Sequence, residues 1–338
     1  MSFHPVFCPR ADCPSRTASA FTYRRRGTFQ RRCDRRNVQR FVCLSCSRGF
    51  SEQTFRVDYG LKRPGLLSRF FFDRISKVTH RQSARNHACS RSTEERHFRR
   101  LCRHCQAFHG ARLAEVAARG GLGEVFLLDE LETYEHHRTH KPLTVPVLIE
   151  RESGFVIDAR AGALPPRRKR GTGRRRRPAA GLERGREGEV ERKSESRKVV
   201  KLAFERLRET CPKDRQILVL TDEKGSYATL LRSLFGRRCF HLRIPGTRRR
   251  DLSNPLWPIN HTLARVRDNV SRLVRETWAA SKLRSWLDGQ LAIWTCYRNY
   301  VRGRTNREER TTPAMVLGVQ ERQWDVRELL EWRVFSGR

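Results

Sequence analysis

Negative charge is scarce in this chain. Its 338 residues carry 36 Asp and Glu against 72 Lys and Arg, a formal net charge of +36. A surplus this large repels itself in the isolated protein, so a polyanion is the expected partner, and nucleic acid fits better than a membrane surface. Long apolar runs are missing too. None approaches the roughly 20 residues that a membrane-spanning helix needs. The opening residues Met1-Ser2-Phe3-His4-Pro5 begin no signal peptide. Hydrophobic residues make up only 37% of the chain and charged residues 32%, yet the length still allows a sizeable core and two or three domains. With no sign of export, the 11 cysteines read as metal ligands or buried thiols rather than disulfides.

Four of those cysteines have ligand spacing. Cys8 and Cys13 form a C-x4-C pair within CPRADCPS, and Cys43 and Cys46 form a C-x2-C pair within RFVCLSCSRGFS. Two knuckles joined by short strands are the layout of a zinc ribbon, expected over residues 1–58. Four thiolates satisfy the tetrahedral preference of Zn²⁺ and hold together a segment too small for its own core. Phe50, after Gly49, is expected to pack under the second knuckle. Cys33 is left over. Between the pairs lie Arg24, Arg25, Arg26, Arg31, Arg32, Arg35, Arg36 and Arg40, interleaved with Tyr23, Phe29 and Phe41. Such a set can grip phosphates and pack beside sugars or bases; a solvated basic loop is the plainer alternative.

Residues 62–118 read as helical. Leu66, Leu67, Phe70, Phe71, Phe72 and Ile75 give a first helix an apolar face. Thr79 can cap a second helix, and Ser90 a third from Arg91 to about His104, with Glu94 and Glu95 in its first turns. Two short helices, a turn near His87-Ala88-Cys89 and a basic helix make a helix-turn-helix pattern, with Arg91, Arg96, Arg99 and Arg100 expected to face DNA. The turn lacks the usual glycine. Cys102 and Cys105, with His97, His104 and His109 nearby, offer a second metal site, but helical packing is the better reading.

After Gly120-Gly121 the pattern changes to strands: GEVFLLDE, then Pro142–Glu150, in which Pro146 favours an edge or bulged position, then Gly154–Ala159. From Arg167 to Arg177 eight of eleven residues are basic, within a flexible insertion spanning about 165–188. A helix from about Val190 to Glu209, strand Ile217–Thr221, helix Tyr227–Leu234 and strand Cys239–Ile244 follow. This order makes an α/β domain of the RNase H-like kind over 122–310, with a tail at 311–338. Asp129 closes one apolar run and Asp222 another. In that fold the first and fourth strands are neighbours, so the two carboxylates meet. Together they can bind paired Mg²⁺ or Mn²⁺ ions about 4 Å apart, suited to in-line phosphodiester displacement.

With these residues in view, the chain resembles bacterial insertion-sequence transposases of the DDE superfamily, most closely the insertion-sequence-one type. The resemblance covers nearly the whole length. It is carried by the ribbon ending RFVCLSCSRGFSEQTF, by LLDELETYE and LTDEKGSY around the two acids, and by INHTLARVRDNVSRLVRETWAASK and RNYVRGRTNREERTTPAMVLG. It implies an enzyme that binds terminal inverted repeats of an element in double-stranded DNA and catalyses cleavage and strand transfer. It also implies a homodimer or larger assembly on DNA, in a bacterial cytoplasm at the nucleoid. The family's third acid, a glutamate, opens the long helix after the last core strand. Here Asn260 falls in that slot, with Asp251, His261 and Asp268 as nearby substitutes. On that helix Arg265, Arg267, Arg272 and Arg275 are expected to present a basic face. Two other readings stand beside the transposase: a non-catalytic DNA-binding descendant, and a structure-specific nuclease of the same fold.

Overall fold

The computed structural model describes residues 3–166, 193–274, 277, 279–307 and 309–333. The basic run Arg167–Arg177, the rest of its insertion from residue 167, the first residues of the helix expected from Val190, and Arg275 lie outside the described residues. The chain is α/β with one small and one larger mixed sheet. In chain order come β1 (Tyr23–Gln30), β2 (Asn37–Cys43), β3 (Gly49–Ser51), α1 (Leu66–Ile75), α2 (His80–Asn86) and α3 (Arg91–Ala118). Then follow β4 (Val125–Tyr134), β5 (Pro142–Glu150), β6 (Val156–Ala159), β7 (Gly162–Ala163), α4 (Ser196–Thr210), β8 (Ile217–Thr221), α5 (Gly225–Phe235) and β9 (Cys239–Arg243). The last elements are α6 (Trp257–Asn269), α7 (Arg284–Cys296), α8 (Pro313–Val316) and α9 (Val326–Glu331). Two compact units result: Met1–Glu115 with Ala292–Arg338, and Val116–Leu291. Residues 292–310, grouped with the core on sequence, thus pack within the first unit.

In the first unit β1, β2 and β3 form an antiparallel sheet in that order. Phe41 and Phe50, paired across β2 and β3, stack with ring centroids 5.5 Å apart, and Phe50 and Phe21 pack against the cysteine cluster. The expected caps are present. Thr79 accepts a hydrogen bond from the Gln82 amide at the start of α2, and Ser90 accepts one from the Thr93 amide at the start of α3. Ala88 takes the left-handed conformation (φ 45°) in the turn where glycine is usual. Glu94 is not a solvated first-turn acid. It is fully buried, 2.5 Å from His80 Nδ1 and 3.6 Å from the Arg74 guanidinium, so it links all three helices. The third helix runs 28 residues rather than stopping near His104.

In the second unit the sheet order is β6-β5-β4-β8-β9, with β7 also on β5. β4, β5 and β6 are antiparallel; β4–β8 and β8–β9 are parallel. Of the edge or bulged position that Pro146 favours, the edge is not taken, since β5 is buried throughout and lies between β6 and β4; its pairing with β6 does carry a register irregularity, at Leu148/Ile149. Proline is tolerated there because β6 pairs with residues 147–149 and β7 with 143 and 144, which leaves Pro146 unpaired on that side. Before β4, Gly121 has φ 82°, and a Cβ there would lie 2.5 Å from Pro212 Cδ, so only glycine allows the chain to pass. Val199, Val200, Ala203, Phe204 and Leu207 bury the inner face of α4. On α6 the buried stripe is Ile259, Thr262, Leu263 and Val266.

Two expectations change. β4 does not end at Asp129 but continues to Tyr134, because antiparallel pairing with β5 runs unbroken from Phe126↔Glu150 to Tyr134↔Pro142. The helix carrying Asn260 is short. α6 stops at Asn269, and Val270 leaves it in extended conformation and is itself buried. Arg272 therefore lies off the helix and is buried, with its Nε 3.0 Å from Gln290 Oε1 and its guanidinium over the Trp286 ring. It is a packing residue, not part of a basic face.

Candidate metal centre and carboxylate pair

The four cysteines converge. Cys8 and Cys13 come from the loop before β1, Cys43 ends β2, and Cys46 sits in the turn before β3. Their Sγ atoms all lie within 4.8 Å of one another, with Cys8–Cys46 and Cys13–Cys43 each at 3.7 Å. That is too long for a disulfide. It matches the roughly 3.8 Å edge of a tetrahedron whose centre is 2.3 Å from each sulfur, the Zn–S distance. Burial raises the Cys8 thiol to about 12. At Cys43 burial also pushes upward, but hydrogen bonds from the Cys46 and Ser45 amides outweigh it and bring the thiol down to about 7. Amides aimed at a sulfur favour thiolate, the form a metal takes. The donor set and spacing fit a structural metal such as zinc.

The arginines around this centre divide in two. Arg24, Arg25, Arg26, Arg32, Arg35 and Arg40 are exposed. Arg31 is buried instead, with its guanidinium 2.7 Å from Asp58 Oδ2 and hydrogen bonds to the Asp58 and Leu61 carbonyls. Arg36 and Arg56 join the same carboxylate. Burial works against the Asp58 charge, yet the three guanidiniums hold its carboxyl well below the usual carboxylate range. Arg31 and Arg36 therefore close the segment rather than reach outward. On α3, Arg91, Arg96 and Arg99 are exposed, while Arg100 donates to the Val57 and Tyr59 carbonyls.

Cys102 and Cys105 gather no metal site. Among the described residues, the Cys8 quartet is the one group of three or more His, Cys, Asp or Glu side chains placed to hold an ion. Cys105 is buried, its carbonyl accepting from the Cys296 thiol. His104 Nε2 lies 2.9 Å from the Leu329 carbonyl and His97 Nδ1 2.7 Å from that of Thr93. His109 lies 3.2 Å from the Tyr300 hydroxyl.

Asp129 and Asp222 sit on and just beyond neighbouring parallel strands. The β4–β8 register ends with Leu127↔Leu220; Asp129 lies two residues further within β4, and Asp222 two residues beyond Leu220, just past the end of β8. The Asp222 charge acts on the Asp129 carboxyl, so the two carboxylates are near each other. Thr133, on the same face of β4 as Asp129, donates to the Arg272 carbonyl just beyond α6, so α6 covers this side of β4. Burial pushes the Asp129 carboxyl up to about 6; the Glu130 amide, 2.7 Å from Oδ1, pulls down, the Asp222 charge pushes up, and Arg250 pulls down. Asp222 Oδ1 accepts from the Lys224 amide at 3.1 Å. The raised proton affinity of Asp129 thus comes from burial first, with the neighbouring Asp222 charge adding to it. The third ligand is not assembled: among the described residues no further carboxylate or histidine groups with the pair. Asn260 is half-buried on the flank of the α6 stripe, His261 and Asp268 are exposed, and Asp251 is turned to Ser253 and Arg249 in the preceding loop.

Sequence reasoning missed Glu130. It leaves the opposite sheet face, where Oε1 accepts from Lys224 Nζ at 2.5 Å and Tyr227 Oη at 2.6 Å. Oε2 accepts from Thr144 Oγ1 at 2.5 Å and Ser196 Oγ at 2.9 Å. No local pattern signalled it, because its partners come from β5, α4, α5 and the loop after β8. No helix of the described residues is long and apolar enough to cross a membrane. No protein-family model and no curated protein matches this chain.

Proposed function

We propose that this chain is a DDE-type DNA transposase with an RNase H-like core, acting on double-stranded DNA at the inverted ends of its element. The observation that carries this reading is the parallel β4–β8 pairing, which lays the strand that holds Asp129 next to the strand that Asp222 follows. The sheet order, three antiparallel strands followed by two parallel ones, is the order such a core requires. The zinc-ribbon reading draws support from the cysteine quartet, and the helix-turn-helix reading from the succession α1, α2, α3, with side-chain caps on α2 and α3 and exposed arginines on the last helix.

In this reading the Asp129 and Asp222 carboxylates hold Mg²⁺ or Mn²⁺ at the sheet face that α6 borders. The bound ions supply charge stabilisation of the attacking and leaving oxygens of a phosphodiester. Asp129, with its carboxyl near 6, is mainly ionised at neutral pH and so is ready as a ligand. Exposed arginines of the ribbon and α3 grip phosphates, positioning DNA without reading its sequence. Incubating the protein with Mg²⁺ and duplex DNA carrying the element's ends tests the reading. Asp129→Asn and Asp222→Asn are each expected to reduce cleavage to background and leave DNA affinity unchanged. Undiminished cleavage by either variant refutes the assignment.

One observation favours the second reading, a DNA-binding descendant without chemistry: Asn260 stands where the resemblance places glutamate, and no third acid groups with the pair. Cleavage absent from the wild type but gained in Asn260→Glu supports that reading. Cleavage by the wild type excludes it.

A further inference from the structure

The pairing between β4 and β8 stops at Leu127↔Leu220, short of both acids. Two like-charged carboxylates beyond the last paired residues would tend to part the strand ends. On the reverse face of the sheet, however, a second connection spans the same two strands. Lys224 follows Asp222 by two residues; its backbone amide binds Asp222 Oδ1 and its ammonium binds Glu130 Oε1. Glu130 is the residue after Asp129, and its amide binds Asp129 Oδ1. Each acid is thus fixed by the backbone of a residue whose side chain is joined to the other's. The joint is reinforced from three further elements: Tyr227 of α5 and Ser196 of α4 donate to Glu130, as does Thr144 of β5, and Lys224 Nζ is also 2.7 Å from Ser196 Oγ.

We infer that Glu130 and Lys224 form a bracket behind the sheet that holds Asp129 and Asp222 at the spacing of a divalent-cation site. They are positioning residues; neither is a ligand, because Glu130 faces away from the pair. This inference rests on the carboxylate pair being a metal site, and it adds what keeps that site assembled. Outer-shell partners of metal-binding carboxylates set ligand orientation, and their loss costs about 10- to 100-fold in metal affinity.

The bracket makes a prediction opposite in sign to simple electrostatics. Replacing Lys224 with a neutral residue removes a cation near the site, which on charge alone should tighten cation binding. If Lys224 holds the geometry, binding weakens instead. The measurement is Mn²⁺ affinity of the zinc-loaded full chain, by titration calorimetry, for wild type, Lys224→Met, Glu130→Gln, Tyr227→Phe and Asp129→Asn. Lys224 is 40% exposed, so its replacement leaves the core intact, and Tyr227→Phe keeps the buried ring while removing one donor. Lys224→Met and Glu130→Gln are expected to bind Mn²⁺ about 10- to 100-fold more weakly, Tyr227→Phe less so, and Asp129→Asn not measurably. Lys224→Met binding as tightly as wild type, or more tightly, while Asp129→Asn fails to bind, overturns the bracket alone. Undiminished binding by Asp129→Asn overturns the metal site and the bracket with it.

Discussion

The cysteine centre and the carboxylate pair are built on opposite principles. The first is complete and local: four ligands from two short motifs within 39 residues converge to metal-binding distance. The second is partial and distant: two acids far apart in sequence, proposed as ligands, are brought near each other by the parallel pairing of β4 with β8. The small segment has few buried side chains beyond its aromatics and the Asp58 cluster, so a metal held by the quartet would be part of its fold. The larger sheet has an apolar core of its own, so in the proposed reading its acids are not needed to hold the fold together. The same division appears among the arginines, with Arg31 spent on closing the fold and Arg24 left at the surface.

This contrast can be broken by experiment. The largest effect is expected at the cysteine centre. Cys43→Ser, or removal of zinc by a chelator, should unfold the ribbon, since such sites carry about 10 kcal/mol or more of folding free energy. Loss of dispersed amide resonances from residues 8–51, with the larger sheet retained, checks it; a folded ribbon without metal would refute it. Asp58→Asn should cost about 3 kcal/mol in denaturant unfolding, because buried Arg31 then loses its nearer counter-charge and keeps only the longer contact to the more exposed Asp34.

A pH effect of similar size belongs to His104. Burial outweighs its hydrogen bond to Leu329 and brings the imidazole down to about 4 from 6.5. The unfolded chain thus binds a proton that the folded chain refuses between those values. Stability from this group is complete above pH 6.5 and is lost as pH falls towards 4, by about 3 kcal/mol in all. Melting curves of wild type and His104→Gln from pH 7 to 4.5 should converge as the pH falls; parallel curves would contradict the assignment. The smallest effect is at the surface. Arg24→Ala should leave stability unchanged and reduce the salt dependence of DNA binding by about one ion, whereas Arg31→Ala should act on stability first.

Much of this was legible in the sequence, and the exceptions have physical causes. The cysteine spacing gave the metal centre because zinc imposes its geometry on nearby residues. The strands β4, β5, β8 and β9 were readable from apolar runs, and the Thr79 and Ser90 caps from side-chain chemistry. What was not legible depends on partners distant in sequence. Asp129 looked like a strand end because its apolar run stops there, but β5 carries β4 five residues further. Arg272 looked solvent-facing by helical period, but the helix ends before it. Glu130 carried no reading from sequence, because Lys224, Tyr227, Thr144 and Ser196 are brought around it only by the fold.

The central claim is that Asp129 and Asp222 jointly hold a divalent cation. It is tested most directly by replacing Mg²⁺ with Fe²⁺ and generating hydroxyl radicals, which cut the polypeptide beside the bound ion. The account predicts backbone cuts in the segments around residues 129 and 222, suppressed by excess Mg²⁺ and lost in Asp129→Asn. Cuts confined to other segments, or cuts unaffected by that substitution, would contradict it.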